Sequence, residues 1–290
     1  MKKLIIGLLI LISIVGSVWG ASNADKLLLQ AVREMNLSLL EEAISDGANL
    51  NYMDTNDKTV LMYATENQWY PGVKMLLENG ANASFKNTAG QTSLMFAAKY
   101  CNNDTIVILL RKFGANIENS DNSRKTVLMY AAENQSDAIV DYLIREGVNL
   151  GAIDRYGNNA AMWAAKVGNI FTMEKFMQAS AVNWEQADMD GNDVFTLACL
   201  SGNTNLVKRL LLGNTDFDIE GANATGDPLL IRLIKKKASN TVIELVINQH
   251  DPERIFDLKD INNHNVRYWA KRMKNTYVTK KLDEIEKEWR

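Results

Sequence analysis

The side chains able to do chemistry are few and far apart. The chain holds two histidines, His250 and His264, and two cysteines, Cys101 and Cys199. His250 stands beside Asp251, half of a base–orienter arrangement, but no Cys or Ser follows at a spacing that completes a nucleophile set. A surface or capping role for the histidines follows. Two distant Cys and two His make no zinc spacing. Asp188-Met-Asp-Gly-Asn-Asp193 is acidic enough for a calcium loop, yet its sixth position is not Gly and its twelfth is Cys199 rather than Glu. No glycine-rich phosphate loop follows a strand. The sequence therefore predicts no catalytic residue, no cofactor and no metal. What remains is to find the elements that present the other polar residues.

Those elements recur. Thr59 to Gln68 reads TVLMYATENQ and Thr126 to Gln135 reads TVLMYAAENQ, identical at nine of ten positions. TSLMFAAKYC from Thr92 and NAAMWAAKVG from Asn159 keep the register, with starts 33, 34 and 33 residues apart. Such a period marks a stack of like units, each packing only on its neighbours, so one elongated domain is expected.

Each unit has one grammar. A polar turn, such as Asp54-Thr-Asn-Asp-Lys58, precedes a helix start at Thr59, Thr92, Thr126, Asn159, Asp193 or Asp227. All six residues can accept a hydrogen bond from an orphan helix N–H. An apolar stretch with small Ala follows (Leu61-Met62-Tyr63-Ala64 and its copies), then a second helix with an apolar stripe, closed in four units by Gly47, Gly80, Gly114 and Gly147. The recurring Met62, Met95, Met129 and Met162, and the aromatic residue after each, read as core.

Asp154-x-x-Gly157, Asp188-x-x-Gly191, the Leu-rich second helices and the exits Gly80-Ala-Asn82 and Gly114-Ala-Asn116 resemble the ankyrin-repeat family across residues 24 to 270. The chain departs from the family pattern where Met replaces its His, where its Pro survives only at Pro228, and where its inter-helix Gly survives only at Gly168 and Gly202. The resemblance implies an all-α ankyrin-repeat solenoid of helix-turn-helix units with polar β-turn or hairpin tips. It divides the chain into a capping unit over 21–53, repeats at about 54–86, 87–120, 121–153, 154–187, 188–222 and 223–256, and a degenerate C-terminal unit with a helix over 257–290. It also implies a non-catalytic scaffold that binds a protein partner through its concave face and tips. Carried over by position, the contact residues are Asn56, Lys58, Gln91, Lys99, Tyr100, Asn122, Lys125, Glu133, Arg155, Tyr156, Asn158, Lys166, Asp190 and Asn192. Arg155 and Tyr156 lead, because exposed Arg and Tyr anchor interfaces. An alternative is an immunity or accessory protein that protects or inhibits an exported enzyme or toxin.

The ends differ from the body. Lys2 and Lys3 precede an apolar run from Leu4 to Trp19, followed by Gly20. The run is shorter than the roughly 20 residues of a spanning helix and reads as a signal peptide over residues 1–20. The mature protein is expected to be a monomer without a membrane span, periplasmic or secreted, with a bacterial origin. Cys101 and Cys199 fall three units apart, on the order of 25–30 Å at ordinary helix spacing, which predicts free thiols rather than a bridge. At the other end, Leu282, Ile285 and Trp289 form one apolar face of a capping helix. Residues 21–230 carry 16 Lys/Arg against 26 Asp/Glu, whereas residues 231–290 carry 14 against 9. The acidic body argues against nucleic acid, and the basic end reads as a solvated face.

Overall fold

The computed structural model describes residues 21–179, 181–213, 222–223 and 226–289. The signal peptide expected over residues 1–20 and the stretch 214–221 of the sixth unit lie outside the described residues. The described residues hold seventeen helices and no strand, the all-α repeat solenoid that the sequence implies. Isolated antiparallel bridges at Met53–Thr59, Ser120–Thr126, Ala222–Pro228 and Lys259–Asn265 close some of the turns. The contacts divide the chain into two compact units where one elongated domain was expected. One runs to residue 101 and adds 105–116; the other comprises 102–104 and the chain from 117 onward. A repeat array permits such a division because each pair packs only on its neighbours.

The first unit contains three helix pairs: α1 (Asn23–Glu34) with α2 (Leu37–Ser45), α3 (Val60–Glu66) with α4 (Tyr70–Glu78), and α5 (Ser93–Tyr100) with α6 (Thr105–Lys112). First helices pack on first helices, α1 on α3 and α3 on α5, and second helices pack likewise, α2 on α4 and α4 on α6. The second unit continues the plan with α7 (Val127–Glu133) and α8 (Asp137–Arg145), α9 (Ala160–Val167) and α10 (Ile170–Gln178), α11 (Val194–Ser201) and α12 (Thr204–Leu211), and α13 (Leu229–Lys235) and α14 (Asn240–Ile247). It ends with α15 (Pro252–Asp257), α16 (Val266–Arg272) and α17 (Thr276–Trp289).

Most of these helices have seven to nine residues, shorter than the ~12–15 at which an isolated helix becomes marginally stable. Burial must therefore supply their stability. Met62, Met129 and Met162 are 0% exposed and Met95 is 1% exposed, which confirms the periodic methionines as core. Ala64, Ala97, Ala131, Ala164 and Ala198 are fully buried as well. Their small size allows close approach of neighbouring first helices.

Four of the six expected caps form. Thr59, Thr126, Asn159 and Asp193 accept from the backbone N–H three residues on, at 3.3, 3.3, 3.0 and 2.7 Å. Thr92 does not: the Met95 N–H bonds the Thr92 carbonyl at 3.0 Å instead, leaving a buried hydroxyl unpartnered. Asp227 is displaced by one residue. Pro228 takes the cap position, bridged to Ala222 as Thr59 is to Met53. A seventh cap appears at Asn265, which accepts from Tyr268 N at 2.9 Å. The two surviving inter-helix glycines mark a left-handed position that Met35, Gln68, Gln135, Lys237 and Lys274 fill elsewhere, with φ between 51° and 58°.

Helix α17 covers the last pairs, packing on α14, α15 and α16. Leu282 is buried as expected, and Val278 joins it. Trp289 is the exception to the expected stripe, 48% exposed. Its indole N–H bonds Glu253 at 3.0 Å and its ring stacks on Phe256. Arg267 of α16 ties α17 down through Asp283 and Glu286.

Two glycines separate backbone strain from crowding. Gly80 has φ 95° and open space where a Cβ would stand; Gly157 has φ 82° and a Cβ site 3.1 Å from the Ala187 carbonyl oxygen. Gly80→Ala should lower stability by about 1–2 kcal/mol through the left-handed conformation alone. Gly157→Ala should lose at least ~1 kcal/mol more, because backbone must move. Urea midpoints of the two variants check this, and equal losses would contradict it.

Candidate binding surface at the turn tips

Seven turns share one construction. The first residue is Asp54, Asn87, Asp121, Asp154, Asp188, Asn223 or Asp260, and in each its backbone N–H bonds the carbonyl four residues on. In each the first residue's side-chain oxygen also accepts the N–H of the fifth residue, at 2.7 to 3.3 Å. The fourth residue has positive φ in all seven, with Asp57, Arg124 and Asn263 standing where the others have Gly. The turns are thus held by a side chain that replaces missing backbone partners, the Asx arrangement.

The carboxylate's second oxygen is met by a ring nine residues later. Tyr63 OH donates to Asp54 at 2.8 Å, Tyr130 OH to Asp121 at 2.8 Å, Trp163 Nε1 to Asp154 at 3.0 Å and Trp269 Nε1 to Asp260 at 2.9 Å. Where the turn opens with Asn87, which has one oxygen, the residue nine later is Phe96, which has no donor. In the Asp188 turn the corresponding residue is Leu197, and the Asn192 amide donates to Asp188 instead, at 3.1 and 3.2 Å. Burial alone would raise the Asp260 carboxyl. The N–H groups of His264, Trp269 and Asn262 outweigh it and hold it at about 2. Asp54 is depressed in the same way, by Tyr63 and the N–H groups of Asn56 and Lys58 against its burial.

Cations pack against these rings. Lys125 Nζ lies 3.3 Å from the Trp163 centroid and 4.8 Å from that of Tyr130, and Lys166 lies 4.8 Å from Trp163 on its own helix. Lys58 sits 5.2 and 5.3 Å from Tyr63 and Phe96, and Lys235 sits 4.1 Å from Trp269. Each such lysine also has a polar partner eight residues away in sequence: Lys58–Glu66 at 2.6 Å, Lys125–Glu133 at 2.7 Å, Asn158–Lys166 at 2.7 Å and Asp227–Lys235 at 2.6 Å. Burial pulls the Lys125 ammonium pKa down, and Glu133, Asp154 and Asp121 counter it.

The fourteen expected contact residues therefore divide. Asn158 is 1% exposed and Lys125 9%. Both were expected on the binding surface and are instead structural, because the turn carboxylate, the rings and the eight-residue partner enclose them. Lys58, Glu133 and Lys166 are half-buried in the same pairings. Gln91 accepts from Asn87, and Asn192 takes the guanidinium of Arg232 at 3.0 Å. Lys99 is exposed and lies 4.9 Å from the ring of half-buried Tyr100. Asn56, Asn122, Arg155, Tyr156 and Asp190 stand at the second and third turn positions, in solvent. Met189 joins them, 72% exposed beside Tyr156 at 56%.

In the second unit consecutive tips are linked. Arg155 N bonds Ser123 O at 2.8 Å, its guanidinium bonds Asn122 O at 2.8 Å, and Met189 N bonds Tyr156 O at 3.0 Å. The backbone carrying Arg155, Tyr156 and Met189 is thus fixed before any partner arrives. The pairing of first-position Asp with Tyr or Trp nine residues on, and of Asn with Phe, is written in the sequence and was the missed signal.

Reactive side chains are confined. Cys101 and Cys199 are unbridged and buried, and burial pushes both thiols up, Cys101 to about 11. His250 lies inside rather than on the surface, with Nδ1 2.8 Å from the Val246 carbonyl oxygen in the last turn of α14. His264 stacks on Tyr268 with centroids 4.0 Å apart.

A sequence-family model of ankyrin repeats, three copies long, matches residues 28–121 and again 94–188, together more than half of the chain. No curated protein matches the chain.

Two measurements test the turn construction. Tyr130→Phe and Asp121→Asn should each cost about 1.5–3 kcal/mol, the range for hydrogen bonds to charged groups. The double variant, which reproduces Asn87 with Phe96, should cost less than their sum; strict additivity in denaturation would refute the coupling. For Asp260, a folded pKa below the unfolded 3.8 stabilises the fold above about pH 4, an advantage lost as pH falls towards 2. Trp269→Phe raises the folded value, so its acid unfolding should begin at higher pH than in the parent, followed by circular dichroism.

Proposed function

We propose, on the premise that the chain belongs to the ankyrin-repeat family, that it is an exported, non-catalytic scaffold binding a protein partner through its turn tips. Ankyrin repeats generally mediate protein–protein interaction. The observation that carries the reading for this chain is the set of linked tips at 121–125, 154–158 and 188–192. Tyr156 and Met189 hold large apolar area in water there, and Arg155 stands beside them on a backbone tied to the preceding tip. Such side chains gain little in the free protein and much when a partner removes them from water. Pre-ordering of the tips lowers the entropy lost on association. Lys2, Lys3 and the apolar run to Trp19 support export. No helix among the described residues is long and apolar enough to cross a membrane.

The test is capture of partners by the protein and by Arg155→Ala/Tyr156→Ala/Met189→Ala, after circular dichroism shows equal folding. The captured protein should bind the variant at least about thirtyfold more weakly, the loss of 2 kcal/mol or more that marks an interface anchor. Equal affinity for both would remove the tips from the interface.

A further inference from the structure

The last two helix pairs carry a polar surface that the tips do not use. We infer that the depression between the α13–α14 and α16–α17 loops docks an acidic segment of a protein partner. The depression has a volume of about 400 Å³ and is lined by Lys237, Asn240, Lys274, Thr276 and Tyr277 among others. Asn275 Nδ2 bonds Asn240 Oδ1 across it at 3.1 Å, so the two loops form one wall. Lys236 adjoins Lys237, Lys271 and Arg272 precede Lys274 by three and two residues, and all five cations are exposed.

These cations differ from neighbouring Lys235 in lacking counter-charge. Lys235, one residue earlier, is paired with Asp227 at 2.6 Å and Asp260 at 3.6 Å. Among the described residues no carboxylate lies within 4.0 Å of the charged atoms of Lys236, Lys237, Lys271, Arg272 or Lys274. The carboxylate of Glu244 is engaged by Tyr277 and Lys281. Lys237 and Lys274 also occupy the left-handed inter-helix position, φ 57° and 55°, that Gly168 and Gly202 hold in earlier pairs. A charged side chain thus stands at both loops where glycine suits the backbone better.

The occupant follows from shape and charge. A concave, polar wall admits side chains bearing carboxylates, which the lysines and the amides of Asn240 and Asn275 can both meet. A flat anionic membrane would meet the exposed lysines without entering the depression, whose ring, Tyr277, is tethered by its hydroxyl to Glu244. A field screened over about 8 Å at physiological ionic strength acts on a segment that touches the depression. The inference takes its class of partner from the protein-binding reading, but its test does not involve the tips.

The experiment is fluorescence anisotropy of a labelled poly-Glu peptide against the full chain at low salt. Lys237→Gly/Lys274→Gly removes both charges and suits the left-handed backbone, so it should fold. It should weaken binding about tenfold or more. Lys112→Glu, an exposed lysine of α6, should change binding by less than about twofold. Arg155→Ala/Tyr156→Ala/Met189→Ala should leave it unchanged, whatever it does to capture of partners. Absence of binding at low salt overturns the inference. So does equal weakening by the Lys112 variant, or charge-dependent binding to phosphatidylglycerol vesicles with poly-Glu ignored.

Discussion

The carboxylate at the head of five of the seven turns is the constraint on which the rest depends. A carboxylate out of water needs hydrogen-bond donors for both oxygens. At Asp121 one oxygen takes two backbone N–H groups and shapes the turn, and the other takes the Tyr130 hydroxyl and fixes a first-helix ring. That ring then offers a face to Lys125. Turn, helix and lysine are ordered by one group. Asn87 with Phe96 is an internal control, since removing the second acceptor and the donor together leaves the turn intact.

This chain of dependence changes how the variable residues are read. The fifth turn position is taken by Lys58, Lys125, Asn158 and Asp227, and at the first three the sequence suggests a surface tuned to a partner. Their eight-residue partners, Glu66, Glu133, Lys166 and Lys235, vary with them. The variation therefore satisfies an internal pairing. The second and third turn positions carry no such obligation in their side chains at Tyr156 and Met189, which is why the proposed contact is placed there.

Much of the fold was legible because the period repeats what packing requires: Ala and Met on the first helices and cap residues at their starts. The failures have physical causes. Period alone places Asp227 at a helix start, but the chain is one residue longer there and Pro228 takes the cap. A sequence shows Lys125 as a charge and hides the rings that enclose it, because those rings come from the helix that follows it and from the next pair. Left-handed positions were legible where Gly marks them and hidden at Gln68, Gln135, Lys237 and Lys274, where packing of the flanking helices imposes a conformation the residue does not favour.

Net charge is a poor guide to where this protein meets others. The acidic body and the basic end suggest two opposed fields, yet the relevant quantity is which charges are already answered. Lys125 is almost enclosed by Glu133 and two rings, and Lys235 lies between two aspartates. Exposed pairs such as Lys74–Glu78 contribute ~0–1 kcal/mol and are easily exchanged for water or for a partner's groups. Lys237 and Lys274 have nothing to exchange. An anion that reaches them gains attraction without first breaking an internal pair, and on that difference from Lys125 and Lys235 the docking proposal rests.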